Sequence, residues 1–317
     1  MENNEQKIST SLLLLNIVMV FAVISIVFFI YGRLHSSEPK RLEREGKITT
    51  QSGQVISREL KLDAKAVYVY DISTKTVLYK KNETIQLPLA SLTKLMTALV
   101  AVELAPQNTH VSIKKDFLTT EGDSGLLANE TWKLKDLLDF SLIVSSNDGV
   151  RSVASVIGAT AFSTDDYSIG RKDFIQKMNE EAKILGMSEM YFVNESGLDE
   201  NTNQSGGYGT AQNVAQLLEH ILRTHPDILE ATKYKNTTIS SLSKNHTIKN
   251  TNSDIGNIPG LLASKTGYTD LAGGNLAVVF DAGLNRPVIA VVLGSTQNGR
   301  FSDINTLVQA SLESLKQ

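Results

Sequence analysis

There is no cysteine anywhere in the 317 residues. Disulfides, thiolate metal sites and cysteine nucleophiles are excluded together, and an oxidising compartment is compatible but not demanded. A large charge of one sign is also missing. The net charge of -3 gives no reason to expect a nucleic-acid partner. The histidines, His35, His110, His220, His225 and His246, are scattered, and the pair His220/His225 reads as surface around a helix end, so no metal site is expected. Gly206-Gly207 and Gly273-Gly274 lack the strand–glycine–helix pattern of a phosphate or dinucleotide loop. No cofactor is implied. Internal repeats and low-complexity tracts are absent as well. What remains, with 41% hydrophobic and 21% charged residues, is an ordinary folded chain, long enough for one large domain or two modest ones.

One apolar run stands out. Leu12–Tyr31 has 20 residues without a charge, interrupted only by Asn16 and Ser25. As a helix it measures about 30 Å, the thickness of a bilayer's hydrocarbon core. A cleaved signal peptide would have a shorter apolar region and a small-x-small site after it, which Leu34 and His35 ahead of Ser36 and Ser37 do not supply. The reading is therefore a single transmembrane anchor over 12–31, after a short tail over 1–11. Lys7 is the only basic side chain before the span, whereas Arg33, Lys40, Arg41, Arg44 and Lys47 follow it. That asymmetry favours a cytoplasmic C-terminal side, whereas large domains are translocated regardless of charge, so the charges leave the orientation open.

A polar stretch over 32–61 reads as a linker, and a folded domain is expected over 62–317. The segment "AVYVYDISTKTVLYKK" carries two β-prone runs around a turn, hence a hairpin. Leu92, Leu95, Met96, Leu99 and Val100 then recur at helical spacing, which predicts an amphipathic helix. A mostly helical middle follows: "LKDLLDFSLIV", "GVRSVASVIG", "DFIQKMNEEAKILGM" up to Gly186, and "GTAQNVAQLLEHIL" with a cap at Thr210. "NLAVVF" and "PVIAVVLG", joined by "DAGLNR", read as a second hairpin. Ile304, Leu307, Val308, Leu312 and Leu315 form a closing helix. The expected fold class is α/β: an antiparallel sheet flanked by helices, with a mostly helical insert between its strands.

Three short clusters carry the chemistry: Ser91-Leu-Thr-Lys94, Ser145-Ser-Asn147 and Lys265-Thr266-Gly267. Spacing alone is weak, since Ser-x-x-Lys recurs at Ser37/Lys40, Ser112/Lys115 and Ser241/Lys244. Ser91 alone reads first as a helix cap beside a solvated lysine. A chemical reading explains all three clusters at once. A serine hydroxyl needs a neighbour to take its proton. Three positions along a helix bring Lys94 to the face of Ser91, and burial with a second cation, Lys265, would keep it neutral enough to act as the base. Ser145 would relay a proton to the departing nitrogen, and Asn147 would orient substrate or Lys94. A strand edge carrying Lys265, Thr266 and Gly267 would let a peptide lie alongside.

In this order the clusters resemble the set shared by penicillin-binding proteins and class A β-lactamases. "ASLTKLMTA", "SSND", Met178-Asn179, "FVNESGLD" and "KTGYTDLAGGNLA" are closer still to the D-alanyl-D-alanine carboxypeptidases, the low-molecular-mass penicillin-binding proteins, over about Leu62 to Gln317. The resemblance implies the β-lactamase-like fold and a serine D,D-peptidase acting on peptidoglycan stem peptides through an acyl-serine, with β-lactams as covalent inhibitors. It implies Ser91 as nucleophile, Lys94 as base, Ser145 and Asn147 in the proton network, and Lys265, Thr266 and Gly267 along the substrate. Backbone N–H groups of Ser91 and Tyr268 would bind the oxyanion, and Arg300 in "NGRF" would lie near the substrate carboxylate. It also implies a cell-membrane protein whose catalytic domain faces the wall.

Many relatives add a β-rich C-terminal domain and a C-terminal amphipathic helix, whereas this chain ends on what reads as the catalytic domain's last helix. Because members without that domain include crosslink-cutting endopeptidases, D,D-endopeptidase stays open as the alternative. A β-lactamase of class A would need Glu-x-x-Leu-Asn. The nearest segment, Glu195-Ser-Gly-Leu198-Asp199, matches the peptidase pattern better. A non-catalytic penicillin sensor is disfavoured by the 11 residues ahead of Leu12 and by the presence of both Ser91 and Lys94.

Overall fold

Alternating β-branched and aromatic residues build the first hairpin, β1 (Ala66–Asp71) and β2 (Thr76–Lys81). The molecule is a computed structural model that describes residues 55–315 other than 119, 120 and 123. The anchor expected at 12–31 and most of the linker lie outside the described residues. Among the described residues, no helix is long and apolar enough to cross a membrane. Residues 55–61, expected as linker, instead join the fold. Ile56 and Leu60 are buried, and Ile56 N–H donates to the Leu78 carbonyl at 2.9 Å. Two apolar side chains four apart are enough to pin this segment against the hairpin.

The chain leaves the hairpin for a long helical excursion and returns as β3 (Leu261–Thr269), β4 (Gly273–Asp281) and β5 (Pro287–Ser295). The five strands pair antiparallel in the order β3-β4-β5-β1-β2. The terminal hairpins thus close on each other through β1 and β5, and β3 stands at the sheet's edge. Side chains alternate between two cores. Val67 and Val69 join Val278, Val292 and the last helix, whereas Ala66 and Tyr68 join the core of the helical insert.

The insert contains α1 (Thr93–Leu104), α2 (Leu134–Val144), α3 (Asn147–Ala161), α4 (Tyr167–Ile184) and α5 (Ala211–Thr224), and α6 (Gly299–Leu315) closes the chain. Thr210 caps α5 as expected, in a box with Asn213. The expectation for α1 was wrong in one respect. It is not amphipathic: Thr93 through Ala101 are all buried. The faces between its leucines carry Thr93, Thr97, Ala98 and Ala101, small enough to be covered by neighbouring elements. Helix α1 is the buried axle of the insert. A further β-hairpin, over residues 236–249, packs on α2.

Helices α3 and α4 cross closely. A Cβ on Gly158 would sit 2.1 Å from the Gly170 carbonyl oxygen. Gly158→Ala must push the helices apart, and a melting curve should show a loss of about 1–3 kcal/mol.

Candidate active site

Ser91 lies in a 3-10 turn, Ala90–Leu92, that runs into α1. Its hydroxyl does not cap the helix, since the N-cap position is Leu92 and carries no side-chain bond. Instead Ser91 Oγ lies 2.8 Å from Lys94 Nζ, as helical spacing predicts. The turn is unusual in its backbone. Ala90 has φ +47, a left-handed conformation costly for a residue with a Cβ. Glycines pack on both sides. A Cβ on Gly197 would meet the Ala90 carbonyl oxygen at 1.9 Å, and one on Gly267 would come within 3.1 Å of the Ser91 backbone nitrogen. Gly267 on edge strand β3 therefore brings its backbone beside the Ser91 N–H, an approach that side chains would hinder.

Lys94 is fully buried. Its Nζ meets Asn147 Oδ1 at 2.7 Å and the Ser196 carbonyl at 2.8 Å, besides Ser91. Burial drives the amine down from 10.5 to about 7, with Glu195 acting in the opposite sense. A neutral amine has two hydrogens and one lone pair. Asn147 Oδ1 and the Ser196 carbonyl can only accept, so they take the two hydrogens and leave the lone pair for the Ser91 hydroxyl. The arrangement is that of a base hydrogen-bonded to its nucleophile.

Helix α2 ends at Ser145, whose φ of +61 turns the chain before α3 begins. Ser146 caps α3 through its hydroxyl, which accepts from Gly149 N–H at 2.9 Å, and so Asn147 opens the helix facing Lys94. Asn147 Nδ2 donates to the Glu121 carbonyl, which holds the amide with its oxygen towards the amine. From β3, Lys265 Nζ donates to Ser145 Oγ at 2.9 Å and to the Thr266 carbonyl at 2.8 Å. Burial, then the charges of Lys94 and Arg300, pull Lys265 well below the ordinary lysine value. Thr266 Oγ1 is 2.6 Å from Thr251 Oγ1, and Thr251 N–H donates to the Ile143 carbonyl. Strand β3 is thereby tied to the end of α2 just before Ser145.

Tyr268 is the next residue on β3 and its side chain is exposed. Arg300, in the first turn of α6, is buried and donates from Nη1 to the Gly267 carbonyl at 2.6 Å. All nine residues picked out in the sequence thus belong to one constellation. Among the described residues, the other Ser-x-x-Lys tetrads do not build such a site; Ser37/Lys40 lies outside them. Ser112 hydrogen-bonds Thr131 across a strand pair, and Ser241 lies at a hairpin turn, where Lys244 meets it through its backbone N–H and carbonyl.

Four participants were not read as such from the sequence. Asn194 Oδ1 accepts from Ser196 N–H at 3.1 Å and Gly197 N–H at 2.7 Å, folding the 194–197 loop under Lys94. Thr97, one turn beyond Lys94, donates to the Glu195 carbonyl at 2.7 Å. The Glu195 carboxylate is buried against Arg171 of α4. The Asn-Glu-Ser-Gly string is a turn signal, but only its place beneath α1 makes it part of the site.

A family model described as D-alanyl-D-alanine carboxypeptidase matches residues 52–297. The chain belongs to that family. It is 30% identical over 258 residues to D-alanyl-D-alanine carboxypeptidase DacF of Bacillus subtilis, a match covering 79% of this chain and 62% of the relative. The chain thus spans less than two thirds of that relative's length. With the D-alanyl-D-alanine endopeptidase of Escherichia coli it shares 29% identity over 265 residues, 80% of this chain and 77% of the relative. Among solved structures, penicillin-binding protein D2 of Listeria monocytogenes in its ampicillin-bound form superposes with a TM-score of 0.67 at 29% identity, covering 80% of this chain and 99% of that one. The expected penicillin-binding-protein fold is the fold observed, its helical insert included.

Proposed function

We propose that this member of the family is a serine D-alanyl-D-alanine carboxypeptidase acting on peptidoglycan stem peptides. The observation that carries the reading is the Ser91 hydroxyl set against a fully buried Lys94 amine that burial lowers to about 7. Ser91 Oγ attacks the carbonyl of the penultimate D-alanine and Lys94 Nζ takes its proton. The oxyanion forms against the backbone N–H groups of Ser91 and Tyr268. When the C–N bond breaks, the proton held by Lys94 passes on through the Ser145 hydroxyl, which Lys265 orients, to the departing amine and leaves Lys94 neutral. Water then attacks the acyl-serine, with Lys94 again as base. The peptide lies along the open edge of β3, by Lys265, Thr266 and Gly267, and its terminal carboxylate meets Arg300. β-Lactams, which mimic the acyl-D-alanyl-D-alanine end, acylate the same serine. Residues 12–31 anchor the protein in the cell membrane as a single span, with the catalytic domain on the wall side.

The test is D-alanine release from a stem peptide ending in D-Ala-D-Ala. Release supports the carboxypeptidase. A protein that leaves this peptide intact but divides a crosslinked dimer would be the endopeptidase that the Escherichia coli relative makes the second reading.

A further inference from the structure

The Arg171–Glu195 pair has no part in that reaction as written. Yet Glu195 is 3% exposed in its side chain while Arg171 is 32% exposed, and they meet through Nε at 2.8 and 3.0 Å and through the Nη2 nitrogen at 2.8 Å. Burying a carboxylate is costly even when paired. Nothing in the loop's shape requires it, because Asn194 makes the turn and the Glu195 backbone carbonyl, not its side chain, takes the Thr97 bond. The charge is therefore surplus to the loop's architecture. The Lys94 amine is held by the carbonyl of the very next residue, Ser196.

We infer that Glu195 and Arg171 are positioning residues that set the charge environment of Lys94, the buried carboxylate favouring the ammonium that forms during acylation and the guanidinium restraining that pull. The inference rests on Lys94 being the base. In the attack, the proton leaving Ser91 turns Lys94 into a cation inside the protein, where water cannot solvate it. A fixed negative charge on the residue next to Ser196 offsets that. An unrestrained carboxylate would protonate Lys94 before substrate arrives and remove the base. Arg171 draws on the carboxylate from the other side. The close crossing of Gly158 and Gly170, next to Arg171 in sequence, brings α4 near enough to do this. The far side of Arg171 lines a cavity of about 740 Å³ that it shares with Arg151, Lys114 and Tyr167, which accounts for its exposure.

The other charged groups around α1 are few. Lys265 faces Lys94 from β3 and itself feels Arg300. Asp148 on α3 is buried and engaged in its own interaction. From α4, the Lys177–Glu181 pair lies by Glu103, towards the far end of α1. Glu195 is the anion that acts on Lys94.

The experiment follows acylation of the full-length chain by a fluorescent penicillin against pH, in wild type, Glu195→Gln, Arg171→Met and Arg171→Lys. The glutamine keeps an oxygen for Arg171 and so the loop's shape. Its half-point should move to lower pH by about half to one unit, because the amine loses a stabilising anion. Arg171→Met should move it the other way, and Arg171→Lys should restore the wild-type profile. Half-points that stay at the wild-type value while rates fall would overturn the inference and leave the pair a structural strut. A folded wild-type chain that no penicillin labels would overturn the base assignment itself, and this inference with it.

Discussion

Ser91→Ala should abolish covalent labelling by penicillin and lower D-alanine release on the order of 10⁶-fold, the scale seen when a hydroxyl nucleophile is removed from a working site. The change deletes one oxygen at a half-buried position, so the melting temperature should move little. That contrast makes the result interpretable: activity lost from a molecule that still folds. Mass spectrometry of the wild-type adduct should place the penicilloyl group on Ser91. The nearby alternative is Ser145. Its hydroxyl accepts from Lys265 and lies in a turn with φ +61, whereas the Ser91 hydroxyl is the one hydrogen-bonded to the Lys94 amine. An adduct on Ser145, or labelling that survives in Ser91→Ala, would end the proposed mechanism.

Lys94→Ala should cost about 10²–10⁴-fold in acylation, the usual worth of a positioned general base. Its pH dependence gives a sharper signature. Since Nζ must be neutral to accept the proton, acylation in the wild type should rise about tenfold per pH unit up to about 7 and then level off. Lys94→Ala should lose that limb. Stability should respond with the same group. Between about 7 and 10.5 the unfolded chain holds a proton on Lys94 that the folded chain does not, so this residue's contribution to stability rises with pH across that window. Below it both states are charged, and the cost of burying the ammonium is felt in full. Lys94→Met, compared with wild type in thermal melts, should therefore gain most at low pH, and the gain should shrink towards pH 10. A difference that stays constant with pH would show that Lys94 is not held in its neutral form.

Much of the machinery is local and could be read from the chain. The Ser91–Lys94 contact needs only one helical turn. The hairpins at both ends follow from β-prone runs on either side of a turn, and the Thr210 cap follows from a threonine at the start of a helical repeat. The order of the three clusters pointed to the family because each falls at the edge of a regular element. The sequence by itself thus determined which residues are the candidates for the chemistry and the kind of element each sits on.

The tertiary structure decided how they behave. The apolar stripe of α1 suggested one wet face, but its neighbours bury every residue from Thr93 to Ala101, and that burial is what lowers Lys94. Lys265 reaches Ser145 across 120 positions of chain, Arg171 reaches Glu195 across 24, and the Ser196 carbonyl reaches Lys94 across 102. Neither a spacing nor a composition encodes such meetings. Desolvation depends on everything packed around a group, and charge acts through space, not along the backbone. A lysine at this place in the sequence is only a candidate base. Burial beneath the 194–197 loop, against Asn147 and above the Arg171–Glu195 pair, is what equips it to act as one near neutral pH.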